Sequence, residues 1–241
     1  MYSSDKPIAE FEDDLLGRSS FSKYLADAIL SFPSNETLVV GLYGGWGTGK
    51  TSIINLAEKE INIQTQEISN EEKPIIMHFE PWNLTSSHNL TSYFFEELKH
   101  TLNIFSGANL NAIGKSLEEY SNVFQLLSLI PGASVLSSIL PKIAENTGKA
   151  LQTEKPLHQI KTELEKALRE QKHKIIVIID DIDRLPNEHI RMVFQLVKQV
   201  ANLPNMIYIL SMDREVVVRA LEQTQNCNGN EYLEKIVQVS I

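Results

Sequence analysis

Residues 37–51 read Thr-Leu-Val-Val-Gly-Leu-Tyr-Gly-Gly-Trp-Gly-Thr-Gly-Lys-Thr, in which an apolar run passes directly into a glycine-rich turn. The run Thr37–Tyr43 is almost continuously apolar, which is typical of a parallel strand covered on both faces. The turn Gly44–Thr51 fits the pattern G-x-x-x-x-G-K-[ST] without a mismatch, and a helix is predicted from Thr51 to Ile61. A strand, this turn and a helix in that order predict a loop that binds phosphate groups, whereas a chance match would lack the flanking elements.

The residue types in the turn account for the binding of a phosphorylated ligand. Glycines let the backbone curl so that several N–H groups converge on one anion, and the following helix adds its positive N-terminal end. Lys50 is predicted to reach the β- and γ-phosphates, and the Thr51 hydroxyl is predicted to join the shell of a Mg²⁺ ion. The predicted phosphate-binding residues of this stretch are Gly44, Gly45, Trp46, Gly47, Thr48, Gly49, Lys50, Thr51 and Ser52.

A second apolar strand, Ile175–Ile179, ends in a group of aspartates. Asp180 is predicted to hold the metal, and Asp181 is predicted to polarise the attacking water, with Asp183 in reserve for either role. The alternative is that these residues only cap a turn, but three carboxylates at one strand end repel one another unless a cation lies nearby. The metal site is therefore the favoured interpretation.

Arg184 follows the aspartates directly and is included among the predicted catalytic residues, beside Lys50 and Asp181. Three roles are open for its guanidinium. It could bind phosphate, it could serve a neighbouring subunit as an arginine finger, or it could neutralise Asp181 and Asp183.

Apolar strands alternate with helices along the rest of the chain. Further strands are predicted at Pro74–Phe79, Met206–Leu210 and Lys235–Ile241. The predicted helices are one capped by Ser19 or Ser20, then Ser87–Phe105, Lys155–Gln171, one that starts at Pro186 and Asn187, and Asp213–Leu221. This alternation predicts an α/β protein with a parallel sheet and right-handed crossovers. Ser211 and Asp213 follow the fourth strand, where a polar residue often contacts the γ-phosphate, although a helix cap is favoured for Asp213.

The bulk composition narrows the function classes. The chain has 241 residues, of which 42% are hydrophobic, and this suits one large α/β domain. Its formal net charge of −9 argues against a broad nucleic-acid footprint, which needs clustered Lys and Arg. The single cysteine, Cys227, excludes an internal disulfide and favours a reducing, cytoplasmic compartment. Met1–Glu10 lacks the pattern of a secretory signal.

Three more stretches share a pattern with a known family. They read Phe-Glu-Pro-Trp at Phe79–Trp82, Ile-Asp-Asp-Ile-Asp-Arg-Leu at Ile179–Leu185 and Tyr-Leu-Glu-Lys-Ile-Val-Gln-Val at Tyr232–Val239. Together with the glycine-rich loop they resemble the KAP family of P-loop NTPases. Trp46 and Trp82 are the distinguishing residues, although either indole could equally serve packing. The resemblance covers most of the chain from Leu16 onward.

The resemblance implies a three-layer P-loop core, related to the AAA and STAND classes, whose five parallel strands follow the order 5-1-4-3-2. It implies ATP and Mg²⁺ as ligands. Residues Leu15–Arg18 look like the hydrophobic-Gly-Arg motif near the base and ribose in those relatives. Arg18 therefore joins the predicted nucleotide-binding residues, with a turn before a capped helix as the alternative.

Many family members carry transmembrane helices between the phosphate loop and the acidic strand. Residues 106–154 occupy that place and are predicted to form a helical insertion between strands 2 and 3. Within it, Ser121–Pro141 carries no charge, but Pro131 and Gly132 interrupt its middle, so a buried helical hairpin is favoured over membrane contact. Residues 1–16 are predicted to be an irregular arm of a single domain, 1–241. The helical C-terminal region of the family is not in the sequence, so we expect a front part of a longer protein.

Three functions compete at this stage. The first is an ATPase whose turnover drives a conformational or assembly change, as the phage-exclusion role of bacterial family members suggests. The second is a nucleotide-gated oligomerisation switch or membrane-associated signalling scaffold with little turnover, and the third is a small-molecule phosphotransferase. The third function would need an Arg-rich lid, and none is evident in the sequence. The sequence also lacks the guanine-specific motif Asn-Lys-x-Asp, so ATP is the default nucleotide. The expected partners are ATP and either a second copy of the chain or an effector protein.

Overall fold

The computed structural model of the protein describes residues 6–83, 90–104, 113–121, 157–200, 202–225 and 228–241. These residues fall into two compact units. One unit comprises Met1–Pro81 and His173–Ile241, and the other comprises Trp82–Lys172. The second unit is inserted into the chain of the first, between its second and third strands.

The first unit contains a five-stranded sheet in which every paired strand is parallel. Its strands are β1 (Leu38–Tyr43), β2 (Ile75–His78), β3 (Ile175–Ile179), β4 (Met206–Met212) and β5 (Val239–Ser240). They lie in the order β2-β3-β4-β1-β5, which is the predicted order 5-1-4-3-2 seen from the other edge. The predicted fold class is therefore confirmed.

The helices, in chain order, connect these strands and form the second unit. They are α1 (Ser19–Ser31), α2 (Lys50–Gln64), α3 (Leu90–Ile104), α4 (113–121), α5 (Leu157–Glu170), α6 (Asn187–Gln195), α7 (Arg214–Gln225) and α8 (Gly229–Glu234). A π-helical turn, Leu196–Val200, continues α6.

The core explains why the central strands are apolar at every position. On one face of the sheet, alternate residues such as Val40, Ile178 and Ile209 form one cluster with α1 and α2. The intervening residues Val177 and Ile179 are also fully buried, so both faces of the sheet are covered. A strand buried on two faces cannot alternate apolar and polar residues, which is why this segment reads as a continuous apolar run.

The second unit contains α3, α4 and α5. Phe95 and Tyr120 pack edge-to-face there, with ring centroids 5.3 Å apart, and burial raises the pKa of the Tyr120 phenol well above its usual range. Of the predicted insertion 106–154, only 113–121 lies within the described residues, and it is helical. The apolar segment Ser121–Pro141 lies outside them apart from its first residue. Among the described helices, none has the length and apolar character needed to cross a membrane.

The predictions for the start of β5 and for the cap of α1 were wrong. The fifth strand was expected from Lys235, but β5 begins at Val239, because the N–H groups of Ile236 and Val237 both donate to the Leu233 carbonyl at the end of α8. Neither Ser19 nor Ser20 caps α1, which begins after Arg18 without a side-chain cap from that residue. The carboxylate of Asp14, upstream of the helix, instead accepts hydrogen bonds from the backbone at its start. Cys227 lies outside the described residues.

Candidate functional site

The glycine-rich loop connects β1 to α2 at the carboxyl end of the sheet. Gly47 and Gly49 have φ angles of 74° and 85°, a region that favours glycine. The loop begins with a hydrogen bond from Gly44 N–H to the Met212 carbonyl at the end of β4, 3.1 Å long. Inside the loop, the Thr48 hydroxyl donates to the Gly45 carbonyl at 2.9 Å. The backbone therefore curls as the sequence motif predicts.

Lys50 lies inside the curve of this loop. Its side chain is only 8% exposed, and its ammonium nitrogen donates to the carbonyl oxygens of Gly44 at 2.7 Å and Gly45 at 3.2 Å. A buried ammonium requires such partners, because its desolvation is otherwise costly. The contacts hold a positive charge at the position where the loop would receive phosphate.

Thr51 and Asp180 meet at the end of β3. The Thr51 hydroxyl, in the first turn of α2, donates to Asp180 Oδ2 at 2.6 Å, and the other carboxylate oxygen accepts the Asp181 N–H at 2.8 Å. Hydroxyl and carboxylate oxygens are the ligand type that Mg²⁺ prefers. The two predicted metal ligands therefore lie together, and their chemistry fits the ion.

Asp181 has a left-handed backbone conformation, with φ 54° and ψ 38°. Such a conformation is uncommon for a residue other than glycine. Its carboxylate Oδ2 lies 2.8 Å from Arg184 Nη2, which is the contact expected of the neutralising role, one of the three left open for Arg184. Burial and the neighbouring Asp180 raise the pKa of Asp181, while the Arg184 guanidinium opposes that shift.

Asp183 has a different partner from the other two aspartates. Its Oδ1 accepts the backbone N–H of Asp213 at 2.9 Å. Asp213 in turn accepts the N–H groups of Glu215 and Val216 at the start of α7, which is the favoured helix-cap role. Both residues therefore bond to backbone beside the site, and the reserve role predicted for Asp183 has no support from its contacts.

Trp46 is the most exposed large side chain of the loop, with 73% of its surface accessible. The guanidinium carbon of Arg184 lies 4.2 Å from the centroid of its ring, within cation–π distance. Trp46 is therefore not a buried packing residue. Trp82 is 43% exposed within the second unit.

Arg18 also contacts the loop. Its Nη2 donates to the Thr48 carbonyl at 3.3 Å, so the structure places this predicted residue at the loop. Asp14 holds the turn before it, because its carboxylate accepts the N–H groups of Arg18 at 3.0 Å and Ser19 at 2.7 Å. These bonds, with the Ser19 hydroxyl first, lower the pKa of Asp14 to about 2. Sequence reasoning missed Asp14, although an Asp shortly before a helix is a usable signal.

Ser52 has a structural partner. Its hydroxyl accepts the N–H of Ile8, in the N-terminal arm, at 3.2 Å, and Asn55 donates to the Ile8 carbonyl at 3.0 Å. An ion pair between Lys59 and Glu10 continues this contact along α2. The arm thus follows α2, and the side chain of Ser52 binds the arm.

Ser211 lies inside β4, not after it as predicted, and pairs in register with Leu42 of β1. Its hydroxyl is fully buried and has no hydrogen-bond partner within the described part of the chain. A buried polar atom without a partner is rare in proteins. The burial of Ser211 inside β4 gives no support to a direct contact between its hydroxyl and the γ-phosphate.

His78 is a second residue that sequence reasoning missed. It ends β2, and its Nε2 lies 2.8 Å from Glu58 of α2, an interaction that raises the pKa of the imidazole. Parallel register pairs His78 with Ile178, two residues before Asp180. The pair ties the end of β2 to the helix that follows the loop.

Comparison with known proteins identifies the family of the chain. Residues 18–241 match the KAP family P-loop domain. The chain belongs to this family. A curated relative is the phage T7 exclusion protein of Escherichia coli strain K12, which is 26% identical over an alignment that covers 98% of this chain. The chain spans 34% of the length of that relative.

Two solved structures align with the chain, both at TM-scores below 0.5. The Aeropyrum pernix ORC2 protein, in ADPNP and ADP complexes, aligns with 99% of this chain and 50% of its own length, at 11% identity and a TM-score of 0.44. A Walker-type ATPase of Pyrococcus abyssi aligns with 90% of this chain and 50% of its own length, at 16% identity and a TM-score of 0.35.

Proposed function

We propose that this KAP-family domain binds Mg²⁺-ATP at Gly44–Thr51 and hydrolyses it, and that turnover drives a conformational or assembly change in antiphage defence. The observation that carries the proposal is the 2.6 Å hydrogen bond between Thr51 and Asp180, which are separated by 129 positions in sequence. It joins the two protein oxygens that P-loop proteins offer to a phosphate-bound Mg²⁺. A structural cap would not require this pairing with the phosphate loop.

The residues of the chain divide the work between binding and positioning. The loop N–H groups and the Lys50 ammonium, held at Gly44 and Gly45, would bind the β- and γ-phosphates. Thr51 and Asp180 would hold Mg²⁺, which when bound neutralises charge on the phosphate oxygens. Asp181, the next residue at the strand end, would orient the attacking water.

A nucleotide-gated oligomerisation switch with slow turnover is the second candidate. The observation that favours it is the short side chain of Asp181, because its carboxylate reaches less far towards an attacking water than the longer side chain of Glu would. Replacing Asp181 by Asn separates the two functions. If the protein is an ATPase, the Asp181→Asn variant should still bind ATP but should lose phosphate release. If it is a switch, the variant should form a stable ATP-dependent oligomer, and its slow phosphate release should be unchanged.

The decisive test measures equilibrium binding of ATP and release of phosphate by purified Lys50→Ala, with Mg²⁺ present. We expect affinity to fall about tenfold or more, and phosphate release to fall with it, because the buried ammonium is lost from the loop. The matched control is Lys174→Ala. Lys174 is another partly buried lysine, whose ammonium donates to the Ile29 and Leu30 carbonyls at the end of α1. Phosphate release that is measurable in wild type and unchanged in both Lys50→Ala and Asp181→Asn would contradict the ATPase proposal.

The role in defence is supported by the name of the Escherichia coli relative, the phage T7 exclusion protein, and by family membership. Plating efficiency of phage T7 on cells that carry wild type or Lys50→Ala tests it. We expect plating to be reduced by wild type and restored by Lys50→Ala at equal protein level. Equal plating on both strains would argue against nucleotide-dependent defence.

A further inference from the structure

Trp46 and Arg184 form a contact that the binding of phosphate does not by itself require. Trp46 interrupts the glycines of the loop, yet its indole is 73% exposed. A large aromatic ring that remains in water gains little from burial, so packing does not explain its position. What the ring contacts is the guanidinium of Arg184, 4.2 Å from its centroid.

The same guanidinium of Arg184 is bonded to Asp181, which follows β3. Its Nη2 lies 2.8 Å from Asp181 Oδ2, and its N–H donates to the Asp181 carbonyl at 3.0 Å. A planar guanidinium can stack on a ring and donate in its own plane at the same time, which an ammonium cannot do. The three side chains therefore form a chain of contacts from the phosphate loop to Asp181.

We propose that Arg184 is a positioning residue, and that Trp46 is the platform that holds its guanidinium against the Asp181 carboxylate. The inference rests on the proposed function, because Asp181 must act on the attacking water for its position to matter. Asp181 occupies a left-handed conformation at the strand end, which persists only where surrounding contacts hold it, and Arg184 contacts both its carbonyl and its carboxylate. Since Trp46 belongs to the loop, a change of loop conformation on nucleotide binding would move the platform and, through Arg184, the carboxylate.

This role makes a different kinetic prediction from direct contact between Arg184 and phosphate. A phosphate-binding arginine would strengthen ATP binding, so its loss would raise the KM or the Kd for ATP. A positioning arginine acts on the bound complex. For Arg184→Ala and Trp46→Ala we therefore expect kcat to fall about tenfold or more, with the Kd for ATP changed by no more than about twofold.

Conservative variants test whether geometry matters. We expect Trp46→Phe to retain more of kcat than Trp46→Ala, because a phenyl ring keeps an aromatic face for the cation. We expect Arg184→Lys to behave nearly as Arg184→Ala, since an ammonium does not reproduce the planar stack. The matched control is Arg191→Ala, which removes a similar pair, Arg191 to Glu188 at 3.0 Å and also three residues apart, from α6. Its kcat should equal that of wild type.

Fluorescence gives a readout that does not depend on turnover. Trp46 and Trp82 are the only tryptophans of the sequence, so a Trp82→Phe background isolates the emission of Trp46. In that background we expect Arg184→Ala to shift or brighten the Trp46 emission in the absence of nucleotide, and Arg191→Ala to leave it unchanged. Addition of Mg²⁺-ATP should change the Trp46 emission of the Trp82→Phe protein that retains Arg184. The change should be smaller when Arg184 is replaced by Ala.

The outcomes separate this inference from the proposed function. If wild type releases phosphate, and Arg184→Ala leaves both kcat and Trp46 emission unchanged, the positioning role is overturned and the ATPase stands. If Arg184→Ala raises the Kd for ATP at unchanged kcat, the residue binds phosphate directly and the positioning role is also overturned. If wild type itself releases no phosphate, the proposed function fails, and the role of Arg184 fails with it.

Discussion

The phosphate loop is contacted from two sides, and each side pairs an arginine with an aspartate in a different way. On the N-terminal side, Asp14 accepts backbone N–H groups, and Arg18 touches the loop through a 3.3 Å bond to the Thr48 carbonyl. On the acidic side, Asp181 pairs with the side chain of Arg184 at 2.8 Å. Asp14 fixes the start of α1, whereas Asp181 pairs with an arginine that also contacts the phosphate loop.

Among the variants that test this difference between the two sides, Asp180→Asn is expected to have the largest effect on phosphate release. We expect phosphate release to fall by about 100- to 1000-fold, because the charged oxygen that faces the Thr51 hydroxyl is lost. Steady-state phosphate release at saturating ATP measures the effect. Asp183→Asn is the matched control, since its Oδ1 accepts the Asp213 N–H and an amide oxygen can do the same. Equal losses in the two variants would show that the two carboxylates are not functionally different.

Gly44→Ala tests the loop between the two sides. A Cβ at Gly44 would lie 2.5 Å from the Thr48 hydroxyl oxygen, so Thr48 must rotate and give up its bond to Gly45. We expect the affinity for ATP, measured by equilibrium binding, to fall about tenfold. A Cβ at Gly45 meets only Asp213 Oδ2, at 3.8 Å, so Gly45→Ala should bind nearly as wild type.

The double variant Gly44→Ala with Thr48→Ala sharpens this test. Removing the Thr48 hydroxyl removes the 2.5 Å contact and leaves the Thr48 Cβ at 3.4 Å. The cost of Gly44→Ala should therefore be smaller in the Thr48→Ala background, a non-additivity expected of residues in contact. Strict additivity would place the loss of affinity elsewhere in the loop.

Arg18→Ala should have a smaller effect on the N-terminal side. The Arg18 bond to the Thr48 carbonyl is long and lies at the surface, so we expect ATP affinity to fall only about two- to fivefold, with kcat unchanged. Lys23→Ala, which removes an exposed cation from the same helix, should leave the affinity unchanged. A fall in kcat for Arg18→Ala would mean that both sides of the loop take part in the chemical step.

Asp14→Ala should alter stability and not turnover. Because the folded pKa of Asp14 is about 2, below the ordinary 3.8, its stabilising effect is present above about pH 4 and is lost as the pH falls towards 2. We expect the Tm of the variant to lie roughly 2 to 4 °C below wild type at pH 6, with a smaller difference near pH 2.5. Thermal unfolding followed by circular dichroism measures both differences. Asp13→Ala, at an exposed neighbour, is the control variant.

The parts of the fold that the sequence predicted share a local origin. Each central strand is a continuous apolar run, and the loop motif lies between a strand and a helix that the apolar pattern indicates independently. The strand order required the family resemblance, because no local pattern says which strands are neighbours. The fifth strand was overextended, since Lys235–Val237 alternates like a strand but is used to close the end of α8.

The parts of the site that escaped prediction depend on contacts between distant or irregular segments. The stack of Trp46 on Arg184 joins two loops far apart in sequence, and no periodicity places an indole beside a guanidinium. Asp14 bonds to the start of α1 from a turn of irregular backbone, which residue spacing does not specify. Proximity in sequence predicts that Ser52 binds phosphate and that Asp183 can replace its neighbouring aspartates. In the structure, Ser52 instead accepts a hydrogen bond from Ile8 of the arm, and Asp183 accepts one from Asp213.

The position of β1 in the sheet has a consequence for the order in which the protein can fold. Its two neighbours are β4 and β5, both of which are made late in the chain, after Met206. During synthesis, β1 therefore has no strand partner until α2, β2 and the second unit have been made. Long-range parallel pairing of this kind is slow to form. The nucleotide site is therefore expected to be among the last parts of the fold to assemble.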